Sequence, residues 1–105
     1  MTKEEWTEIY NIFEKAFIDF QMEYATSKNE KNQEVRKASE RRVKNSIEIV
    51  RSWVNAHPEL WEIITGKGVN INEKVFFYDE FFKPIYFQKD MPKYLKRIKE
   101  HINKL

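Results

Sequence analysis

The sequence contains no cysteine, and this absence excludes several kinds of chemistry at once. Disulfide bridges, thiolate nucleophiles and thiolate zinc sites all require cysteine, so none of them can operate in this chain. A cysteine-free chain is compatible with a reducing compartment. The N-terminal stretch MTKEEWTEIY also lacks the apolar core region of a secretory signal. We therefore expect a cytoplasmic protein.

Glycine and proline are scarce, with two and three residues respectively among 105. Sandwiches and barrels need many tight turns, which depend on these residue types, so the scarcity argues against both. Few turns favour a small number of long helices instead. A chain of this length suits one domain, and we expect a single helical domain over residues 1–105.

Long apolar runs and a strong charge of one sign are also missing. The chain has no run of about 18 apolar residues, so we expect no membrane-spanning helix. The formal net charge of +2 is too small to indicate nucleic-acid binding by itself. Charged residues of both signs are interspersed and make up 34% of the chain, as on a soluble surface.

Apolar residues recur at helical spacing in the first half of the chain. Thr2 and Glu5 have the spacing of a capping box, which predicts a helix over about residues 3–26. A second helix is predicted over about 29–56, ending before Pro58. The segment from Ser27 to Glu30 permits one continuous helix or two, and we favour a break with Ser27 as cap. The expected core positions are Trp6, Ile9, Phe13, Phe17, Phe20 and Tyr24 in the first helix, and Val35, Ala38, Val43, Ile47, Val50 and Val54 in the second.

Shorter helices are expected in the second half. Pro58 suits the first position of a helix over PELWEIIT, which Gly66 would cap. A helix over about 73–83 follows, with a short strand near 75–78 as the alternative. Pro84 would break or kink that helix, and Asp90 would cap the last one. The predicted fold is all-α: a small bundle of two long antiparallel helices plus two or three shorter C-terminal helices.

The segment VFFYDEFFKPIYFQKDMPKYLKR, residues 75–97, is unusually rich in aromatic rings. One helical face can bury most of its apolar residues, including Ile85 and Tyr86, but it cannot also include Phe76 and Phe87. These two rings either pack against a neighbouring element or remain exposed. We expect at least one of them to join a protein-binding face with nearby charged residues. The candidate face consists of Phe76, Asp79, Glu80, Lys83 and Phe87.

No motif for catalysis, a metal or a cofactor is present. The stretch TGKG lacks the upstream glycine and the following Ser or Thr of a phosphate-binding loop. His57 and His101 belong to no metal-binding pattern; we expect the first to end a helix and the second to lie at the edge of an apolar face. We therefore predict a protein that is not an enzyme and that needs neither a cofactor nor a metal.

Basic residues form two candidate ridges on helices. Such ridges can bind phosphates, bind an acidic protein surface, or simply form a solvated helix face. We predict a non-catalytic protein-binding module, a small regulator or inhibitor that occludes a partner protein and is encoded by a bacterium, a phage or a mobile element. A nucleic-acid-binding accessory protein is the alternative. Ile12 and Ile18 lie off the first helix's core stripe, which makes a homodimer a further candidate. The ridges consist of Lys37, Arg41 and Lys44 in one helix and Lys93, Lys96 and Arg97 in another.

Overall fold

The computed structural model describes residues 1–65 and 82–105, and every regular element in these two ranges is an α-helix. In chain order α1 spans Lys3–Asn29, α2 spans Gln33–Ala56, α3 spans Pro58–Thr65 and α4 spans Pro84–Asn103. The two long helices pack against each other, and the short link between them makes them antiparallel. The predicted all-α bundle is therefore confirmed. Among the described residues, no helix combines the length and hydropathy needed to cross a bilayer.

The start of α1 is set by its N-terminal cap. The backbone N–H of Glu5 donates to Thr2 Oγ1 at 3.2 Å, as the sequence predicts. The Thr2 hydroxyl in turn donates to Glu5 Oε1 at 3.2 Å, so the two side chains hold each other. This arrangement satisfies one of the amides that the first turn of a helix leaves without a partner.

The break between α1 and α2 is confirmed, but its cap is not the predicted one. Ser27 lies inside α1, where its hydroxyl donates to the carbonyl of Tyr24 at 2.8 Å. Asn32 caps α2 instead, and its Oδ1 accepts from the N–H groups of Glu34 and Val35 at 3.0 and 3.2 Å. Both residue types can cap a helix, and α1 runs on to Asn29, past the predicted cap.

The core lies along one side of α1, and every residue of the predicted aromatic stripe of this helix is buried. Phe20 contacts Phe87 of α4 with ring centroids 4.7 Å apart, and Trp6 contacts His101 at 4.6 Å. Residues late in α1 thus meet residues early in α4, so these two helices are also antiparallel. α2 and α4 each pack mainly on α1, and α3 contacts both of them.

Pro84 begins α4, which corrects the prediction that Asp90 caps the last helix. Proline is well suited to the first helical position because it has no amide to satisfy and its φ is already helical. Pro92 lies inside α4 and is exposed, so the carbonyl of Gln88 loses its usual helical donor. Phe82 and Lys83 form a turn and a bend before Pro84. The remainder of the predicted 73–83 helix, the alternative strand and Gly66 lie outside the described residues.

On α2, the position of a residue around the helix decides its burial more than the hydrophobicity of its side chain does. Val35 was expected in the core but is 42% exposed, whereas Ser39 and Ser46 are buried. The two serines continue the steps of three and four residues that Val43 and Val50 define. The face that touches α1 therefore includes small polar side chains, which a search for apolar residues overlooks.

Candidate protein-binding surfaces

Phe87, one of the two rings of the predicted aromatic face, is fully buried. Its ring contacts those of Phe17 and Phe20, at centroid distances of 6.0 and 4.7 Å. Phe87 therefore packs against a neighbouring element, one of the two alternatives that the sequence left open, and it cannot contribute to the candidate face. Lys83 is exposed at the N-cap of α4, while the other members of the predicted face, Phe76, Asp79 and Glu80, lie outside the described residues.

The burial of Phe87 and the exposure of Ile85 and Tyr86 follow from the helix boundary at Pro84. The prediction that Ile85 and Tyr86 are buried assumes a single helical wheel for residues 75–87. A helix that starts at Pro84 has its own register, in which Phe87 shares a face with Met91 and Ile98. In the same register Ile85 and Tyr86, which were expected to be buried, are 60% and 38% exposed.

Three cations form an exposed ridge on α2. Lys37, Arg41 and Lys44 are all exposed and follow one another by four and three residues. We call these three residues the α2 ridge; it extends over about 10 Å of helix. Within the described part of the chain, none of the three forms an ion pair. Glu34 and Glu40 line the same open groove as the three cations, so the surface carries both signs of charge.

Only two of the three residues of the predicted ridge on α4 are exposed. Lys93 and Lys96 are exposed, but Arg97 is half-buried and its Nη1 donates to the backbone carbonyl of Ile64. That hydrogen bond joins α4 to the last turn of α3, where helical carbonyls lack partners. Arg97 is therefore a structural residue, and its assignment to a basic ridge is wrong. Lys89 is exposed four residues before Lys93 and extends the row, which the spacing alone could have indicated.

A second surface lies on the outer side of the α1–α2 pair, where a shallow groove of about 290 Å³ runs between the helices. Met22 of α1 and Ile49 of α2 line it and remain 67% and 44% exposed. Glu23 and Arg42 face each other across it, with a carboxylate oxygen and a guanidinium nitrogen 3.6 Å apart. The sequence gives no signal for this groove, because the groove depends on which flank of α1 meets α2. The groove residues are Asp19, Met22, Glu23, Arg42, Asn45, Ser46 and Ile49.

Two tyrosines have raised pKa values. Burial raises the pKa of the Tyr94 hydroxyl, the negative charge of Asp90 raises it further, and the positive charge of Arg97 opposes both. The pKa of Tyr10 is also raised, first by burial and then by a hydrogen bond to Glu14 and its charge. Both shifts keep the hydroxyl neutral, so neither residue is prepared to act as a phenolate base. Within residues 1–65 and 82–105, no group of three His, Asp or Glu side chains is placed to hold a metal ion.

Comparisons of the chain with protein-family models, with curated proteins and with solved structures found no significant match.

Proposed function

We propose that the protein is a non-catalytic protein-binding module that uses the α2 ridge to bind and occlude another protein in the cytoplasm. The observation that carries this proposal is the charge pattern around Lys37, Arg41 and Lys44. Three exposed cations stand in a row on a long helix, with Glu34 and Glu40 lining the same groove. A rigid helix face of alternating charge can select one partner by complementary charges.

The interleaved carboxylates favour a protein partner over nucleic acid. A phosphate backbone is uniformly negative, so Glu34 and Glu40 would face it with like charge. A protein surface can present carboxylates to the ridge and a cation to each glutamate. The expected partner therefore carries an acidic patch with a few basic residues within it.

The helical scaffold supports this role, because the ridge lies on the side of α2 that is opposite to the core. Val43 and Val50 anchor the inner side, and Asn32 fixes the start of the helix. Binding then needs little rearrangement of the backbone, which reduces its entropic cost. Charged residues at an interface act mainly on the rate of association and on selectivity.

The test begins with capture of partners from the host that encodes the chain, followed by binding measurements on the isolated pair. Reversal of Lys37, Arg41 and Lys44 to Glu should weaken binding at least about tenfold, since like charges replace complementary ones. The matched control reverses Lys3 and two further exposed lysines, Lys89 and Lys104, and changes the net charge equally. The control should bind like the wild type, and both variants should keep the wild-type circular dichroism spectrum.

Two outcomes would overturn the proposal. The first is a partner that binds the folded ridge variant as tightly as the wild type. The second is a capture that nuclease treatment abolishes. In that case the nucleic-acid alternative applies, and the exposed row of Lys89, Lys93 and Lys96 on α4 becomes its candidate contact. A labelled duplex would then show affinity that falls steeply with salt, by about one power of the concentration per phosphate contact.

A further inference from the structure

We infer that the outer face of the α1–α2 pair binds the same face of a second copy of this chain, in a symmetric dimer. We call this surface the hairpin face and define it by Ile18, Asp19, Met22, Glu23, Arg42 and Ile49. It lies on a different side of α2 from the α2 ridge, so the inference stands independently of the proposed function.

The centre of the hairpin face is apolar and unusually exposed. Ile18, Met22 and Ile49 are 49%, 67% and 44% exposed, although each lies in the middle of a long helix rather than at a chain end. Charged residues surround them, including the pair Glu23 and Arg42 at 3.6 Å. An apolar centre with methionine and a charged rim is the composition of a protein interface.

The two helices of this face carry opposite charge. On this face α1 contributes the carboxylates of Asp19 and Glu23. α2 contributes the cation of Arg42, while its ridge cations lie on another side of the helix. A surface that is negative along one half and positive along the other is complementary to a rotated copy of itself. This complementarity favours a second copy over a partner of uniform charge.

The side-by-side arrangement of α1 and α2 permits a two-fold dimer axis parallel to both helices. A two-fold axis parallel to the helices places α1 of one copy over α2 of the other and preserves the height of every residue along the axis. Glu23 and Arg42 are already at the same height, because they form an ion pair within one chain. The rotation therefore brings Asp19 and Glu23 of one copy toward Arg42 of the other, twice in each dimer.

The available area is close to what a stable dimer requires. The shorter helix has 24 residues. At about 1.5 Å per residue this helix is about 36 Å long, and two helices side by side, each about 10 Å wide, present a face of about 700 Å². Standard interfaces bury about 800 Å² per partner. Met22 and Ile49 stay exposed in the folded chain, so α4 does not cover this face.

A charge-swap experiment tests the dimer on the full-length chain. Sedimentation of the wild type at about 100 µM should show a dimer that dissociates on dilution. Arg42→Glu alone, and Asp19→Arg with Glu23→Arg, should each weaken self-association at least about tenfold, because each places like charges in both contacts. A mixture of the two variants should form heterodimers, because both contacts again join opposite charges.

The chain carrying all three substitutions should likewise restore the homodimer. Melting curves on each variant verify folding, and all three positions are at least partly exposed, so the fold should survive. The ridge variant at Lys37, Arg41 and Lys44 is the control and should dimerise like the wild type. A monomeric wild type at about 100 µM would overturn the inference, as would swap variants that neither weaken nor restore association. Neither result affects the proposed use of the α2 ridge.

Discussion

Truncating Phe87 tests the main correction that the structure makes to the sequence analysis. The side chain is fully buried against Phe17 and Phe20, and it joins the start of α4 to the end of α1. Phe87→Ala should lower the free energy of unfolding by about 3–5 kcal/mol, the range for a buried Phe. Domains of this kind are stable by about 5–15 kcal/mol, so a large share of the total would be lost.

Urea unfolding followed by circular dichroism measures this effect. All variants should be compared at one protein concentration, because dimerisation would make stability depend on concentration. Ile85→Ala is the matched control, since Ile85 lies two residues away but is 60% exposed, and it should change stability by less than about 0.5 kcal/mol. If Phe87→Ala fails to fold, Phe87→Leu leaves a smaller cavity and should still cost more than the control.

A double-mutant cycle between Phe20 and Phe87 isolates the contact between their rings. The rings meet edge to face with centroids 4.7 Å apart, so we expect a coupling energy of about 0.5–1.5 kcal/mol. A loss below about 1 kcal/mol for Phe87→Ala would place this ring at the surface. The placement of α4 on α1 would then be wrong, and the aromatic binding face would be restored as a hypothesis.

Two further predictions concern the helix cap and the titration of tyrosine. Asn32→Ala should destabilise the protein by about 1 kcal/mol in urea unfolding, because two N–H groups of α2 lose their acceptor. Asn29→Ala is the control and should have a smaller effect. Equal effects would contradict the assignment of Asn32 as the cap. The raised pKa of Tyr94 contributes stability that is fully present below the unfolded-state pKa of about 10 and is lost as the pH rises through the folded-state pKa. Above about pH 10 the Tyr94→Phe variant should therefore lose less stability than the wild type. The difference between the phenolate absorbance titrations of the two proteins should have its midpoint above pH 10. A midpoint at or below pH 10 would contradict the raised pKa.

Local sequence patterns were enough to predict the helical class and most of the helix boundaries. The period of Trp6, Ile9, Phe13 and Phe17 predicts a helix with one apolar face, and all four residues are buried. The cap at Thr2 and the break before Pro58 also follow from local chemistry. These features could be read from the sequence because a helix forms from interactions between residues close in the chain.

Packing between helices sets which helix faces meet and therefore which side chains remain exposed to solvent. Phe87 became a core residue because α4 begins at Pro84 and turns that ring toward Phe20. Arg97 became a structural residue because α3 places the carbonyl of Ile64 beside it. The groove with Met22 exists because α2 packs along one flank of α1. Such contacts join residues far apart in the chain, and helical periodicity within one element carries no information about its neighbours.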